Sequence, residues 1–94
     1  MQIEEFSKSI AAAHPPENVS PYALALWYDA KGDWEKAHTI VQDMEDKTAA
    51  RIHAYLHRKE GDAGNAGYWY NKAGTKMPVC SLHNEWEEIV KAVL

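Results

Sequence analysis

The sequence has almost no cysteine, no excess of basic residues and no long apolar run, and each absence excludes a class of protein. Cys80 is the only cysteine among 94 residues, so no disulfide can form within the chain and no thiolate cluster can hold zinc. We therefore expect a reducing, cytoplasmic setting. No apolar stretch approaches membrane-spanning length, and the acidic start MQIEEF lacks the basic residues of a signal peptide. We expect neither a membrane partner nor export.

The charge balance argues against nucleic acid as a partner. The formal net charge is -4 and the isoelectric point is about 5.7, whereas binding to phosphates requires a basic excess. The charge is also unevenly distributed. Residues 1–46 contain nine acids and three bases, and residues 47–94 contain five acids and seven bases. Only the second half can present a face to an anion.

What the chain does contain is a set of helical patterns. Its hydrophobic content of 46%, with four Trp and five Tyr, predicts one ordered domain with a modest core. Apolar residues recur at helical spacing, and Ser20, Asp33 and Ser81 stand where helices begin. No strand pattern is present. We predict an all-α fold of about six helices, in which two helix-turn-helix units are flanked by one helix at each end. The four segments are residues 2–13, 20–46, 47–78 and 80–94.

Finer boundaries follow from the same signals. The first helix should end at residue 13, before the His14-Pro15-Pro16 segment, because proline disfavours a helical residue before it. The other helices are predicted at residues 21–31, 34–45, 48–60, 63–72 and 81–94. Tyr68, Trp69 and Tyr70 are consecutive on one helix and point about 100° apart, so at least one of them should be exposed.

The two central units repeat one another. Gly32-Asp33 aligns with Gly61-Asp62, 29 positions later, and the alignment also superimposes Ala25 on Ala54 and Ala37 on Ala66. A Gly-Asp pair between two helical patterns at such a period is typical of helix-turn-helix repeats.

These residues resemble the tetratricopeptide repeat, which has a small residue in its first helix, Gly-Asp in its turn, and then alanines, an aromatic residue and a closing proline. The positions that match lie in residues 20–78 and are Ala25, Tyr28, Gly32, Asp33, Trp34, Ala37, Ala54, Gly61, Asp62, Ala66, Tyr70, Ala73 and Pro78. The string AYLHRKEGD, followed by NA, YWY and AG, is similar to a small, uncharacterised, mainly bacterial family with the same double unit. The resemblance implies the fold and names no activity.

The resemblance also implies a ligand face on the first helix of each unit. On the second unit's first helix, Arg51, Tyr55 and Arg58 are spaced four and three apart and are therefore neighbours, with Lys59 beside them. Tyr22 lies on the corresponding face of the first unit. Guanidinium groups beside a phenol suit a carboxylate or an acidic peptide. The alternative is a solvated face whose cations pair with acids of the same chain.

Two histidines raise a second possibility. His53 and His57 are four apart on one helix, which lets two imidazoles meet one metal ion. Glu60 is the nearest carboxylate, and His38 could approach from the preceding helix. However, no His-Glu-x-x-His string is present, and Ala54 stands where that motif places its general base. We interpret both histidines as structural groups that are hydrogen-bonded at a helix interface, and we assign neither metal nor cofactor.

The sequence thus favours a non-catalytic helical-repeat module that binds a protein or peptide with acidic or carboxylate character. One alternative is a small metal-dependent or pocket enzyme that uses His53, His57 and Glu60. Another is a self-associating structural protein, because two repeat units expose open ends that a homodimer would cover.

Overall fold

The computed structural model describes all 94 residues and contains six α-helices and no β-strand. The predicted all-α fold with about six helices is therefore confirmed. The helices are α1 (Ile3–Ser9), α2 (Pro21–Ala30), α3 (Trp34–Val41), α4 (Lys47–Glu60), α5 (Ala63–Ala73) and α6 (Leu82–Val93). None of them is both long and apolar enough to cross a lipid bilayer.

Every helix after α1 begins at a side chain that caps it. The caps accept a hydrogen bond from the backbone amide three residues further on, and they are Ser20, Asp33, Asp46, Asp62 and Ser81. Each cap satisfies one of the amide groups that a helix start leaves unpaired, and each contributes about 1 kcal/mol. Asp46 thereby sets the start of α4.

Two predicted helix ends are corrected. Helix α1 ends at Ser9 rather than residue 13, because the ammonium of Lys31 binds the carbonyl oxygens of Ile10 and Ala12 at 2.8 and 2.9 Å and holds them in a turn. Helix α3 ends at Val41 rather than residue 45. Residues 42–46 lie outside any helix and lead to Asp46, whose extended backbone and side chain cap α4.

The helices form two antiparallel hairpins, and α6 packs across both of them. Helix α2 pairs with α3 and α4 pairs with α5, while the contact of α3 with α4 joins the hairpins. Helix α6 lies against both α2 and α4, and α1 packs on α6. The core between them is made largely of aromatic and branched side chains, including Phe6, Leu26, Trp27, Val41, Ile52, Leu56, Trp86, Ile89 and Val90.

The three consecutive aromatic residues of α5 divide between core and surface, as their angular spacing predicted. Tyr70 is buried with Ala54 and Ala66, and Trp69 is partly buried against them. Tyr68 is 55% exposed, and the ammonium of Lys72 lies over its ring. Burial of Tyr70 and Trp69 supplies the tertiary support that a helix with two internal glycines requires.

We predict opposite effects for two glycine substitutions. Gly61 ends α4 with φ of 89°, so Gly61→Ala should lower the free energy of unfolding by about 1 kcal/mol, because a Cβ is strained in that conformation. Gly67 lies inside α5 with open space around it, so Gly67→Ala should raise stability by up to about 1 kcal/mol. Urea denaturation of both variants tests this, and a neutral Gly61→Ala would contradict the account of the helix end.

Candidate functional site

The predicted ligand face of α4 is covered in part by α6. Nη1 of Arg58 lies 2.7 Å from Oε1 of Glu85, and its Nη2 donates to the carbonyl oxygen of Cys80. Arg51 lies 3.4 Å from Glu88, in a pair that is open to solvent. Both arginines that were predicted to meet an acidic ligand therefore have partners on or next to α6 of the same chain.

Glu85 makes the central polar contact between α6 and α4. Its side chain is fully buried, and the Tyr70 hydroxyl donates to its two carboxylate oxygens at 2.9 and 2.6 Å. Burial, followed by the hydrogen bond to Glu85, raises the pKa of Tyr70, so the phenol remains a donor. The hydrogen bond to Glu85 also raises the pKa of Arg58. Glu85 is thus held between a cation of α4 and a phenol of α5.

The other members of the predicted face lie elsewhere. The exposed Tyr22 hydroxyl donates to Asp46 across 2.9 Å, which links α2 to the start of α4. Tyr55 is buried, and its hydroxyl donates to Oδ2 of Asp29 at 2.9 Å. Lys59 donates to the other oxygen of Asp29, also at 2.9 Å. Only Tyr55 and Lys59 therefore share one site.

That site is an open cleft between α1, α2, α4 and α6 with a volume of about 420 Å³. The buried carboxylate of Asp29 lies in this cleft. Lys59 forms an ion pair with it, and the Tyr55 hydroxyl donates a hydrogen bond to it. Burial, followed by the charge of Asp29, raises the pKa of Tyr55, so the phenol stays neutral. The lining combines polar groups with an apolar wall and consists of Ser7, Ile10, Asp29, Ala30, Tyr55, Lys59, Leu82, His83 and Trp86.

A second cluster lies on the opposite side of α4, where α3 and α5 pack. Nε2 of His38 is 2.9 Å from Nε2 of His53, and His57 completes a group in which one nitrogen from each ring lies within 4.8 Å of the others. Trp34 stacks on His38 with ring centroids 4.8 Å apart, and Trp69 stacks on His53 at 4.0 Å. We refer to His38, His53 and His57 as the histidine cluster.

The surroundings of the histidine cluster favour neutral rings in two of its members. Burial, together with the charges of His38 and His57, lowers the pKa of His53 from its usual 6.5 to about 4. Burial and His57 also lower the pKa of His38. Glu60 accepts from, or pairs with, Nδ1 of His57 at 2.6 Å. Of the predicted trio, His53 and His57 lie together with His38 of α3, and Glu60 contacts His57.

Sequence reasoning missed the roles of Glu85 and Asp29 as buried carboxylates. A signal was present in both helices, because Glu85 is three residues after Leu82 and four before Ile89, and Asp29 is three after Leu26. Each acid thus falls within an apolar stripe. An acid at such a position is buried and needs a partner.

Comparisons with known proteins leave these two sites to be interpreted from their own chemistry. No family model matches the chain, and neither the curated proteins nor the solved structures contain a match.

We predict that the buried ion pair is essential for stability. Glu85→Ala should lower the free energy of unfolding by about 3 kcal/mol or more, because Arg58 and Tyr70 lose their common acceptor. The double variant Arg58→Met/Glu85→Leu should lose less free energy of unfolding than the single variants Arg58→Met and Glu85→Leu lose together, because it leaves no unpaired charge. Glu88→Ala, in the exposed pair with Arg51, is the matched control, with an expected loss below about 1 kcal/mol. Equal losses for Glu85→Ala and Glu88→Ala would contradict this prediction.

We also predict an acid-dependent loss of stability from His53. Its pKa is about 4 in the folded chain and 6.5 when exposed, so unfolding takes up a proton between these values. The contribution of the neutral His53 ring to stability is fully present above pH 6.5 and is lost as the pH falls towards 4.

Urea midpoints measured between pH 7.5 and 4, with a chelator present, test this. Wild type should weaken across that window, and His53→Gln should weaken less steeply. The exposed His14 gives the control variant His14→Asn, which should follow wild type. Parallel curves for His53→Gln and wild type would contradict the assignment.

Proposed function

We propose that the protein is a non-catalytic helical binding module, and that it takes a carboxylate-bearing peptide segment in the cleft at Tyr55 and Lys59. The observation that supports this is the cleft itself, where a partly exposed lysine stands beside an apolar wall. Its volume of about 420 Å³ is in the range of protein ligand sites and accommodates one or two side chains.

Lys59 supplies the cationic contact. An ammonium group has three hydrogen-bond donors, and Asp29 accepts one of them at 2.9 Å. The Lys59 side chain is 39% exposed, so the ammonium can turn its other donors towards a ligand while it keeps its bond to Asp29. A carboxylate is the group that best matches such a donor.

The apolar wall supplies the second part of the recognition. Ile10 just beyond α1, together with Leu82 and Trp86 of α6, forms the apolar part of the cleft lining. The Trp86 indole is fixed, because its Nε1 donates to the carbonyl oxygen of Leu26 at 3.0 Å. An apolar side chain next to the ligand carboxylate would remove this wall from water, which favours binding by about 25 cal/mol per Å² of apolar surface.

The hydrogen bonding within the cleft favours binding over catalysis. Both oxygens of Asp29 already accept hydrogen bonds, from Tyr55 and Lys59, so this carboxylate is poorly placed to remove a proton from a substrate. Tyr55, with its raised pKa, is a donor and not a nucleophile. We also place the protein in the cytoplasm, because its single cysteine suits a reducing compartment.

Selection from a peptide display library tests the proposal. We expect enriched peptides to contain an acidic side chain or a free C-terminal carboxylate beside an apolar residue. Ile10→Trp, which fills the cleft without removing a polar partner, should weaken the binding of an enriched peptide at least about tenfold. The matched control is Val79→Trp, which introduces the same indole at a fully exposed site outside the cleft.

The charge of Lys59 gives a second arm of the experiment. Lys59→Gln keeps a donor for Asp29 and removes the positive charge. It should therefore weaken the binding of an acidic peptide and leave the binding of the amidated form of that peptide unchanged. A library without acidic enrichment would overturn the carboxylate proposal. Equal affinity of Ile10→Trp and wild type would show that the peptide binds elsewhere.

A further inference from the structure

We propose that the histidine cluster of His38, His53 and His57 is a binding site for one divalent transition-metal ion, with Zn²⁺ as the ion that its ligands fit. This site is separate from the cleft and does not depend on the proposed peptide binding. It would join α3 to α4, and hence one helical hairpin to the other.

The spacing of the ring nitrogens supports the proposal. Zinc bonds to imidazole at about 2.0–2.1 Å, so the ligand atoms of a tetrahedral site lie about 3.4 Å apart. In the histidine cluster the Nε2 atoms of His38 and His53 are 2.9 Å apart, and one nitrogen from each of the three rings lies within 4.8 Å of the other two. Small side-chain rotations therefore suffice to bring the three nitrogens to equal distances from one ion.

The three rings are also held in place before any ion binds. His53 and His57 come from one face of α4, and His38 comes from α3. The indole of Trp34 stacks on His38 and donates to the carbonyl oxygen of Leu56 at 2.8 Å, which fixes the tryptophan. Ligands fixed by their packing need little reorganisation when a metal enters.

Glu60 provides the outer contact that metal-bound histidines commonly have. Its carboxylate lies 2.6 Å from Nδ1 of His57, which leaves Nε2 as the nitrogen of His57 that can bind a metal. Such a carboxylate orients the ring and makes the imidazole a stronger ligand. Glu35 also places negative charge near His38, so the cluster has acids close by to balance a cation.

The convergence of three imidazole rings at one place favours metal binding. A hydrogen bond between His38 and His53 needs one proton and accounts for the positions of these two rings. The third ring, His57, has its own partner in Glu60, and a single ion would engage all three rings at once.

The ligand set selects the class of ion. Three imidazoles suit Zn²⁺, Cu²⁺ and Ni²⁺, whereas Mg²⁺ and Ca²⁺ prefer oxygen ligands. Zn²⁺ accepts a tetrahedral arrangement with three protein ligands and a water in the fourth position. His38 is only half-buried, so it provides a route of entry from solvent.

Titration of the chelator-treated protein with Zn²⁺ against a chromophoric competitor tests the site. We expect saturation at one ion per chain and a Tm that rises with zinc concentration. His38→Asn and His53→Asn should each weaken binding at least about 100-fold, and Glu60→Gln should weaken it about 10-fold to 100-fold. His14→Asn changes an exposed histidine outside the cluster and should bind like wild type.

Co²⁺ gives a readout of the ligand set itself. The wild-type complex should show the visible absorption of a tetrahedral Co²⁺ ion, and His38→Asn should lose it. His38 and Glu60 are not fully buried, so their variants keep the test valid if His53→Asn does not fold. The absence of saturable zinc binding would overturn the proposal. Equal zinc affinities for His38→Asn and His14→Asn would overturn it as well.

Discussion

The arrangement of the helices depends on the buried carboxylate of Glu85. A charged group without a partner in the interior is several kcal/mol less stable than the same group in water. Glu85 has no exposed surface, and its partners come from two other helices, Arg58 of α4 and Tyr70 of α5. Helix α6 therefore cannot shift along α4 without exposing or unpairing this acid. Packing at Trp86 and Ile89 buries apolar surface, and the contacts of Glu85 fix the position of α6 along α4, which is its register.

This register decides what the predicted ligand face can offer. With α6 fixed in place, Arg58 belongs to the interior network, and Arg51 is opposite Glu88. The part of the face that α6 leaves open lies at the end of α4, where Lys59 reaches Asp29. A binding surface that would extend along the helix in an uncovered repeat is thereby reduced to one cleft.

Local chemistry was predictable from the sequence, and distant pairing was not. The caps at Ser20, Asp33 and Ser81 and the glycine stops act within about four residues, so they could be recognised directly, as could the spacing of His53 and His57. The end of α1 was wrong because a remote group, Lys31, binds the carbonyl oxygens just beyond it, and the end of α3 was wrong as well.

The same limit applies to the sites. The contact between Arg58 and Glu85 joins residues 27 positions apart, and that between Tyr55 and Asp29 joins residues 26 positions apart. Periodicity places each of these residues on a face of its helix, but it does not say which face of another helix lies opposite. For His38 the sequence could offer only a possible approach to His53, and the packing of α3 on α4 was needed to bring their nitrogens to 2.9 Å.

Both candidate sites depend on one packing angle. The α2–α3 hairpin carries Asp29 at the cleft and His38 at the histidine cluster, while α4 carries Lys59 and His53 towards them from its two sides. A rotation of the hairpin against α4 would therefore change the distance from Asp29 to Lys59 and the distance from His38 to His53 together. Since packed helices shift as rigid bodies rather than deforming continuously, whatever fixes α3 against α4 also fixes the shape of the cleft.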